Sequence, residues 1–345
     1  MSQTQIATRP DWRLEIQRAY TNPELLLTNL GLEPAQFHAD CKARALFPMR
    51  VPRPFVELMQ QGNRDDPLLL QVLPRSQEFD QAEGYTDDPL GEVSDNVLTD
   101  EVDGLLHKYR SRVLLILKGG CAVNCRYCFR RHFPYQDIRF NQRQLQQTLD
   151  YLSSHPEVNE VILSGGDPLM ASDAQLKSII EQLASVATLK RIRIHSRLPV
   201  VIPSRLTRQL KELLVSTRLK PILVIHANHG NELSDTLEQH LDDYNQAGIL
   251  LLNQSVLLAG INDSSSALSS LSERLFAANV LPYYLHQLDK VTGAAHFEVS
   301  DYRAQQIWQE MNQALPGFLV PKLVREVAGE HSKTPIMPPG PVSIT

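Results

Sequence analysis

Gly119-Gly120-Cys121-Ala122-Val123-Asn124-Cys125-Arg126-Tyr127-Cys128-Phe129-Arg130-Arg131 places three thiols within eight positions, spaced C-x3-C-x2-C, directly after the apolar run Arg112 to Leu117. Thiolates are soft ligands that suit zinc or iron–sulfur iron. A cubane [4Fe–4S] cluster takes four cysteines, one per iron. Three from a single loop would leave one iron open to a substrate or cofactor, as a catalytic metal site keeps a position open and a structural one does not. The same thiols would also hold a structural zinc, with His132 or Cys41 as fourth ligand, and the spacing alone leaves both readings standing.

Outward from that loop, short apolar runs alternate with amphipathic stretches. The pattern predicts strands at Val113–Leu117, Val161–Leu163, Arg191–His195, Ile222–His226, Leu250–Ser255 and Leu281–Tyr284. Helices are predicted between them, near Gln142–Ser154, Ala174–Ala187, Arg205–Ser216, Glu232–Ala247 and Ser266–Ala278, with Tyr302–Ala314 beyond. Ser172 with Gln175 three residues later has the form of a capping box. Such alternation implies parallel βαβ units, and six units are too few to close an eight-stranded barrel. The expected fold is α/β, a partial (β/α)6 TIM-like barrel. In parallel α/β folds ligands bind at the carboxyl ends of the strands. Those ends carry Cys121, Ser164-Gly165-Gly166-Asp167, His195-Ser196-Arg197, His226-Ala227-Asn228-His229, Asn253-Gln254-Ser255, and Tyr284, His286 and Asp289. Six polar strand ends in succession read as one active-site rim.

The flanks are less regular. Residues 1–109 are expected to be mainly helical, with Pro23-Glu24-Leu25-Leu26 as a helix start and Phe37 to Leu46 at helical spacing, followed by an acidic, turn-rich connector from Glu78 to Asp103. Residues 110–300 form the core and 301–345 a C-terminal helix and tail, in which Pro335, Pro338, Pro339 and Pro341 argue against helix. The formal net charge of -5 argues against nucleic-acid coating. Four cysteines, three of them crowded together, argue against a disulfide framework and favour a reducing compartment. Met1 to Gln5 is polar with no apolar signal core, and Gly248 to Ile261, the nearest approach to a membrane span, is interrupted by Asn253, Gln254 and Ser255. A cytoplasmic protein without a membrane segment is expected.

The C-x3-C-x2-C loop after a first strand resembles the signature of radical S-adenosylmethionine enzymes, and its surroundings resemble the lysine 2,3-aminomutase family. The likeness runs from about Phe47 to Pro338, with Asp66-Pro67-Leu68-Leu69-Leu70-Gln71 and Arg197-Leu198-Pro199-Val200-Val201 in support. It implies that Cys121, Cys125 and Cys128 hold a [4Fe–4S] cluster whose open iron chelates S-adenosylmethionine. Ser164, Gly165, Gly166 and Asp167, by themselves readable as an ordinary turn, would cradle the cofactor's methionine end, with His226 and Gln254 nearby. Lys333, in His331-Ser332-Lys333-Thr334-Pro335-Ile336-Met337-Pro338, would otherwise read as a solvated tail lysine. The resemblance makes it the residue that binds pyridoxal 5′-phosphate, with Arg112, assisted by Lys108 and Arg110, at the phosphate. Arg130 would take the substrate carboxylate. Asp289 and Glu326 would take lysine's distal amine, although the family's second acid is Asp where this chain has Glu326, and Glu330 lies close by.

The implied reaction is radical migration of nitrogen from C2 to C3 of L-lysine. The longer lysine 2,3-aminomutases continue into a cysteine-bearing zinc segment, whereas this chain has no cysteine after Cys128. The short form resembles the bacterial branch that makes (R)-β-lysine for elongation factor P, which implies a functional link to that factor and its lysyl ligase, and an electron donor such as flavodoxin or ferredoxin. Competing readings are a sister aminomutase for an amino acid such as glutamate, and a non-catalytic zinc-stabilised binding module.

Overall fold

A computed structural model describes residues 11–92, 102–134 and 140–337. The polar leader, part of the acidic connector and the prolines at 338, 339 and 341 lie outside the described residues. The N-terminal part carries short helices, α1 (Trp12–Gln17), α2 (Pro23–Asn29), α3 (His38–Lys42) and α4 (Arg53–Val56). The helix expected over Phe37–Leu46 is broken into 3₁₀ turns on either side of α3. α2 starts as predicted, with Pro23 in its first turn and the Asn22 side chain accepting from the Glu24 N–H at 2.8 Å.

Among the described residues, nine strands form one sheet in sequence order: β1 (Leu105–Tyr109), β2 (Arg112–Lys118), β3 (Glu160–Gly165), β4 (Arg191–Ser196), β5 (Lys220–Ile225), β6 (Leu250–Val256), β7 (Leu281–His286), β8 (Lys322–Arg325) and β9 (Thr334–Pro335). β2 to β8 pair in parallel, and the outer strands β1 and β9 are antiparallel. The crossovers are α5 (Gln142–Ser154), α6 (Asp173–Ala184), the single turn α7 (Leu198–Val201) with α8 (Arg208–Ser216), α9 (Asp235–Gln246), α10 (Ser265–Ala277) and α11 (Asp301–Ala314). The six expected βα units are therefore present as a partial barrel, and α11 returns into β8, a seventh parallel strand that the sequence pattern did not reveal. The Ser172–Gln175 capping box closes both ways, each hydrogen bond 3.2 Å long.

Two facts of packing matter for the site. A single apolar cluster joins Trp12, Leu26, Phe37, Phe55 and Leu69 to the inner strands and to α5–α9. Each such fully buried side chain contributes roughly 1.5–3 kcal/mol, which fixes the irregular N-terminal part against the barrel. A second cluster, including Leu285, Ile307, Met311, Leu323 and Ile336, ties β8 and β9 to α11 and so carries the chain back toward the strand ends. No helix among the described residues is long and apolar enough to cross a membrane.

Candidate active site

A cavity of about 880 Å³ opens at the carboxyl ends of the parallel strands. The principal residues singled out from the sequence line it together: Arg112, Cys121, Cys125, Cys128, Arg130, Ser164, Gly165, Gly166, Asp167, His226, Gln254, Asp289, Glu326 and Lys333. Lys108 lines it as well; Arg110, His132, Cys41 and Glu330 are not among the lining residues. Cys41 instead packs half-buried against the main core.

The cysteine loop leaves β2 at a bulge, where the pairing register with β3 slips between Ile116 and Lys118. The N-terminal part clamps it. Arg126 and Arg131 both converge on the fully buried Glu78 carboxylate. The Asn124 side-chain amide donates to Pro48 O at 2.8 Å, and Arg50 donates to Cys121 O at 3.0 Å. The Arg126 N–H donates to Gln71 O. Burial pushes the Cys121 thiol well above its ordinary range and Cys128 up to about 11, with Cys125 adding to both. Three neighbouring half-buried sulfurs become thiolates most readily with cationic charge among them, which is what iron would supply. Arg197 provides one donor already, its Nη1 lying 2.8 Å from Cys125 Sγ. Among the described residues no three His, Cys, Asp or Glu side chains converge on a single-ion position.

The glycine turn at the end of β3 is shaped by this loop. Gly165 adopts φ +116°, open to glycine, and a Cβ there would lie 2.8 Å from Lys118 O. At Gly166 a Cβ would lie 2.7 Å from Gly120 O. Gly166 N–H donates to Lys118 O and Asp167 N–H to Gly120 O, so the two glycine pairs nest face to face. The Asp167 carboxylate accepts from Ser196 Oγ and from the backbone N–H groups of Leu169, Arg197 and Leu198. Its side chain is thereby committed to joining the ends of β3 and β4, although burial still pushes it up to about 6. Further along the rim, Gln254 Nε2 lies 2.9 Å from His226 Nε2. Burial, reinforced by Arg197, lowers His226 to about 3, so its neutral ring accepts that amide hydrogen. His195 and His286 also face the cavity, with Nε2 atoms buried and unpartnered among the described residues.

The opposite wall holds Lys333. Its Nζ donates to Glu326 Oε2 and lies 5.5 Å above the Tyr284 ring. Glu326 also accepts from Lys108 Nζ at 3.0 Å and from the Tyr109 hydroxyl at 2.5 Å. Burial alone would raise the Glu326 carboxyl, but Lys333, Tyr109 and Lys108 together hold it at about 2. Arg112 Cζ lies over the Tyr109 ring, 3.8 Å from its centroid. Asp289 is pushed up to about 7, first by burial and then by the Glu326 charge. Arg130 grips Glu92 through two hydrogen bonds of 2.6 and 2.7 Å. Glu78, Glu92, Glu232 and Tyr109 were not singled out as site residues from the sequence, because a lone acid or tyrosine carries no spacing signal.

The Radical SAM superfamily model matches residues 115–263, the stretch from β2 to just before α10. The chain is 50% identical over 330 residues to an L-lysine 2,3-aminomutase of Escherichia coli (strain K12), covering 95% of each. It is 49% identical over 329 residues to that of Haemophilus influenzae, covering 95% of this chain and 96% of the relative. Against the Clostridium subterminale L-lysine 2,3-aminomutase it is 32% identical over 330 residues, covering 95% of this chain and 78% of the relative. The superfamily implies a [4Fe–4S] cluster and S-adenosylmethionine, and the half-buried trio of thiols, the glycine nest beside it and the size of the cavity fit both. The protein belongs to the lysine 2,3-aminomutase family of radical S-adenosylmethionine isomerases.

Proposed function

We propose that this protein moves the α-amino group of L-lysine to C3, giving β-lysine, with pyridoxal phosphate held on Lys333. The observation that carries this reading is that Lys333, immediately before the last described strand, meets the cysteine loop in one cavity lined also by Asp289 and Glu326. When bound, the cluster with S-adenosylmethionine supplies a carbon-centred radical able to take hydrogen from C3, and pyridoxal phosphate supplies the π system across which nitrogen moves. The rest is done by the chain. Cys121, Cys125 and Cys128 hold three corners of the cluster. Ser164, Gly165 and Gly166 offer close backbone approach to the cofactor's methionine end, and His226 with Gln254 forms a neutral polar wall beside it. Arg112, assisted by Lys108, is the cationic group we assign to the cofactor's dianionic phosphate. Arg130, held on Glu92 through Nε and Nη2, is the residue the resemblance assigns to the substrate carboxylate.

Asp289 and Glu326 are the specificity pair. Glu326 here accepts from the Lys333 and Lys108 ammonium groups, and with Asp289 it would form the acidic wall that draws lysine's distal ammonium. Two acids at this wall disfavour glutamate, whose side chain would repel them. The resemblance to the bacterial branch that serves elongation factor P supports (R)-β-lysine made from free lysine in the cytoplasm, with flavodoxin or ferredoxin as electron donor and elongation factor P as its destination.

The test is anaerobic turnover of L-lysine with S-adenosylmethionine and dithionite, comparing native protein with Lys333→Ala and Cys125→Ala, with chiral analysis of the product. Both substitutions should abolish β-lysine formation, and only Cys125→Ala should also lose iron. Full activity in either variant, or a product from glutamate and none from lysine, would overturn the reading.

A further inference from the structure

Arg197, at the carboxyl end of β4, is 5% exposed, and its guanidinium lies behind the cysteine loop at the floor of the cavity. Nη2 donates to Glu232 Oε2 at 3.0 Å and to Gln71 Oε1 at 2.7 Å. Nη1 donates to Cys125 Sγ at 2.8 Å and to the Tyr127 hydroxyl. The surroundings hold this geometry firmly. The Arg197 N–H is fixed on Asp167, and the Glu232 carboxylate also accepts from the Asn228 and His229 N–H groups. Tyr127, between two of the cysteines, takes a further hydrogen bond of 2.6 Å from Asn228 Nδ2.

A buried guanidinium needs a carboxylate, and Glu232 is enough for that purpose. The direction of Nη1 has a different consequence. Instead of a carbonyl oxygen, it meets a cysteine sulfur and the hydroxyl two residues further along the same loop. Hydrogen bonds to the sulfurs of an iron–sulfur cluster, and net charge near it, set its reduction potential. Reduction adds a negative charge, so a nearby cation whose N–H points at the sulfur favours the reduced state, most of all in a poorly solvated setting.

We propose that Arg197 is a positioning residue for the cluster, donating a charge-assisted hydrogen bond to Cys125 that stabilises the reduced form and raises its reduction potential. This rests on the iron–sulfur reading of the site. Gln71, Glu232 and Asn228 keep the donor aimed, which gives a function to the polar network beneath the loop.

The experiment is an anaerobic redox titration, followed by electron paramagnetic resonance, of the native holoenzyme, Arg197→Lys, and the charge-balanced double variant Arg197→Gln/Glu232→Gln. In the double variant the two amides can still pair, while the shorter side chain that replaces the arginine stops short of Cys125. The expected result is a full iron complement with a lower potential, at least tenfold in the one-electron equilibrium, or about 59 mV. Arg197→Lys should fall between the two. Iron lost from the variants with an unmoved potential in the remaining clusters would mean a merely structural role and would overturn the proposal, as would full iron and an unmoved potential. A second measurement needs no folded variant. Native protein grown on ¹⁵N-arginine should show nitrogen coupling to the reduced cluster by electron–nuclear double resonance, and its absence also overturns the proposal. A native chain that takes up no four-iron cluster would sink the underlying site reading instead, and is distinguished before any variant is made.

Discussion

Glu78→Gln should loosen the cysteine loop more than any other single neutral substitution in its surroundings. Glu78 Oε1 accepts from Arg126 Nε at 2.8 Å and from the Arg75 N–H at 3.0 Å. Oε2 accepts from Arg126 Nη2 and, at 2.7 Å, from Arg131 Nη2, and none of the three side chains is more than 1% exposed. Glutamine can keep the first oxygen. At the second it turns amide hydrogens toward two guanidinium donors and leaves both cations without their carboxylate. Breaking one buried pair costs about 3–5 kcal/mol. At about 4 kcal/mol, with every 1.4 kcal/mol a factor of ten, the loop's opening equilibrium shifts nearly a thousandfold. Urea unfolding of the anaerobically purified protein should register that loss, and iron content after purification should fall in parallel. Adding Arg131→Met, which removes the surplus cation, should recover more than half of the stability. A Glu78→Gln protein within about 1 kcal/mol of native, carrying full iron, would refute the clamp, since surface changes alone stay within about 0.5 kcal/mol.

Gly166→Ala brings a Cβ to 2.7 Å from Gly120 O, a contact that only backbone movement relieves; about 1–3 kcal/mol of destabilisation should appear with weakened S-adenosylmethionine binding by calorimetry. Asp289, pushed up to about 7, gains its charge as pH rises, so kcat/KM for lysine should climb through neutrality in the native enzyme and lose that limb in Asp289→Asn, where binding is also weaker. Glu326 is held at about 2, below the ordinary carboxylate range. It therefore contributes stability that is complete above that range and lost as pH falls from about 4 toward about 2, and Glu326→Gln should remove that part of the acid-unfolding curve.

The barrel strands were legible because a parallel strand buried on both faces reads as an unbroken apolar run, as Val113–Leu117 and Ile222–Ile225 do. β1, β8 and β9 were not. Leu105–Tyr109 turns polar after two leucines, Lys322–Arg325 is four residues long, and Thr334–Pro335 is held in the sheet by two pairings alone. The three thiols announce themselves by spacing, whereas Lys333 is chemically mute until a resemblance points to it. The acids that align the site were hidden for another reason. Glu78 pairs 48 residues away with Arg126, Glu92 38 residues away with Arg130, and Glu232 35 residues away with Arg197. Such pairings are created by tertiary structure, and no local pattern encodes them.

The most direct measurement is Mössbauer spectroscopy of ⁵⁷Fe-loaded protein, purified without oxygen, before and after addition of S-adenosylmethionine. Four irons held by three cysteines should yield one iron distinct from the rest, and that iron alone should change its signal when the sulfonium compound is added. Four equivalent irons indifferent to the addition, or a colourless protein holding a single zinc, would contradict the open-corner site outright.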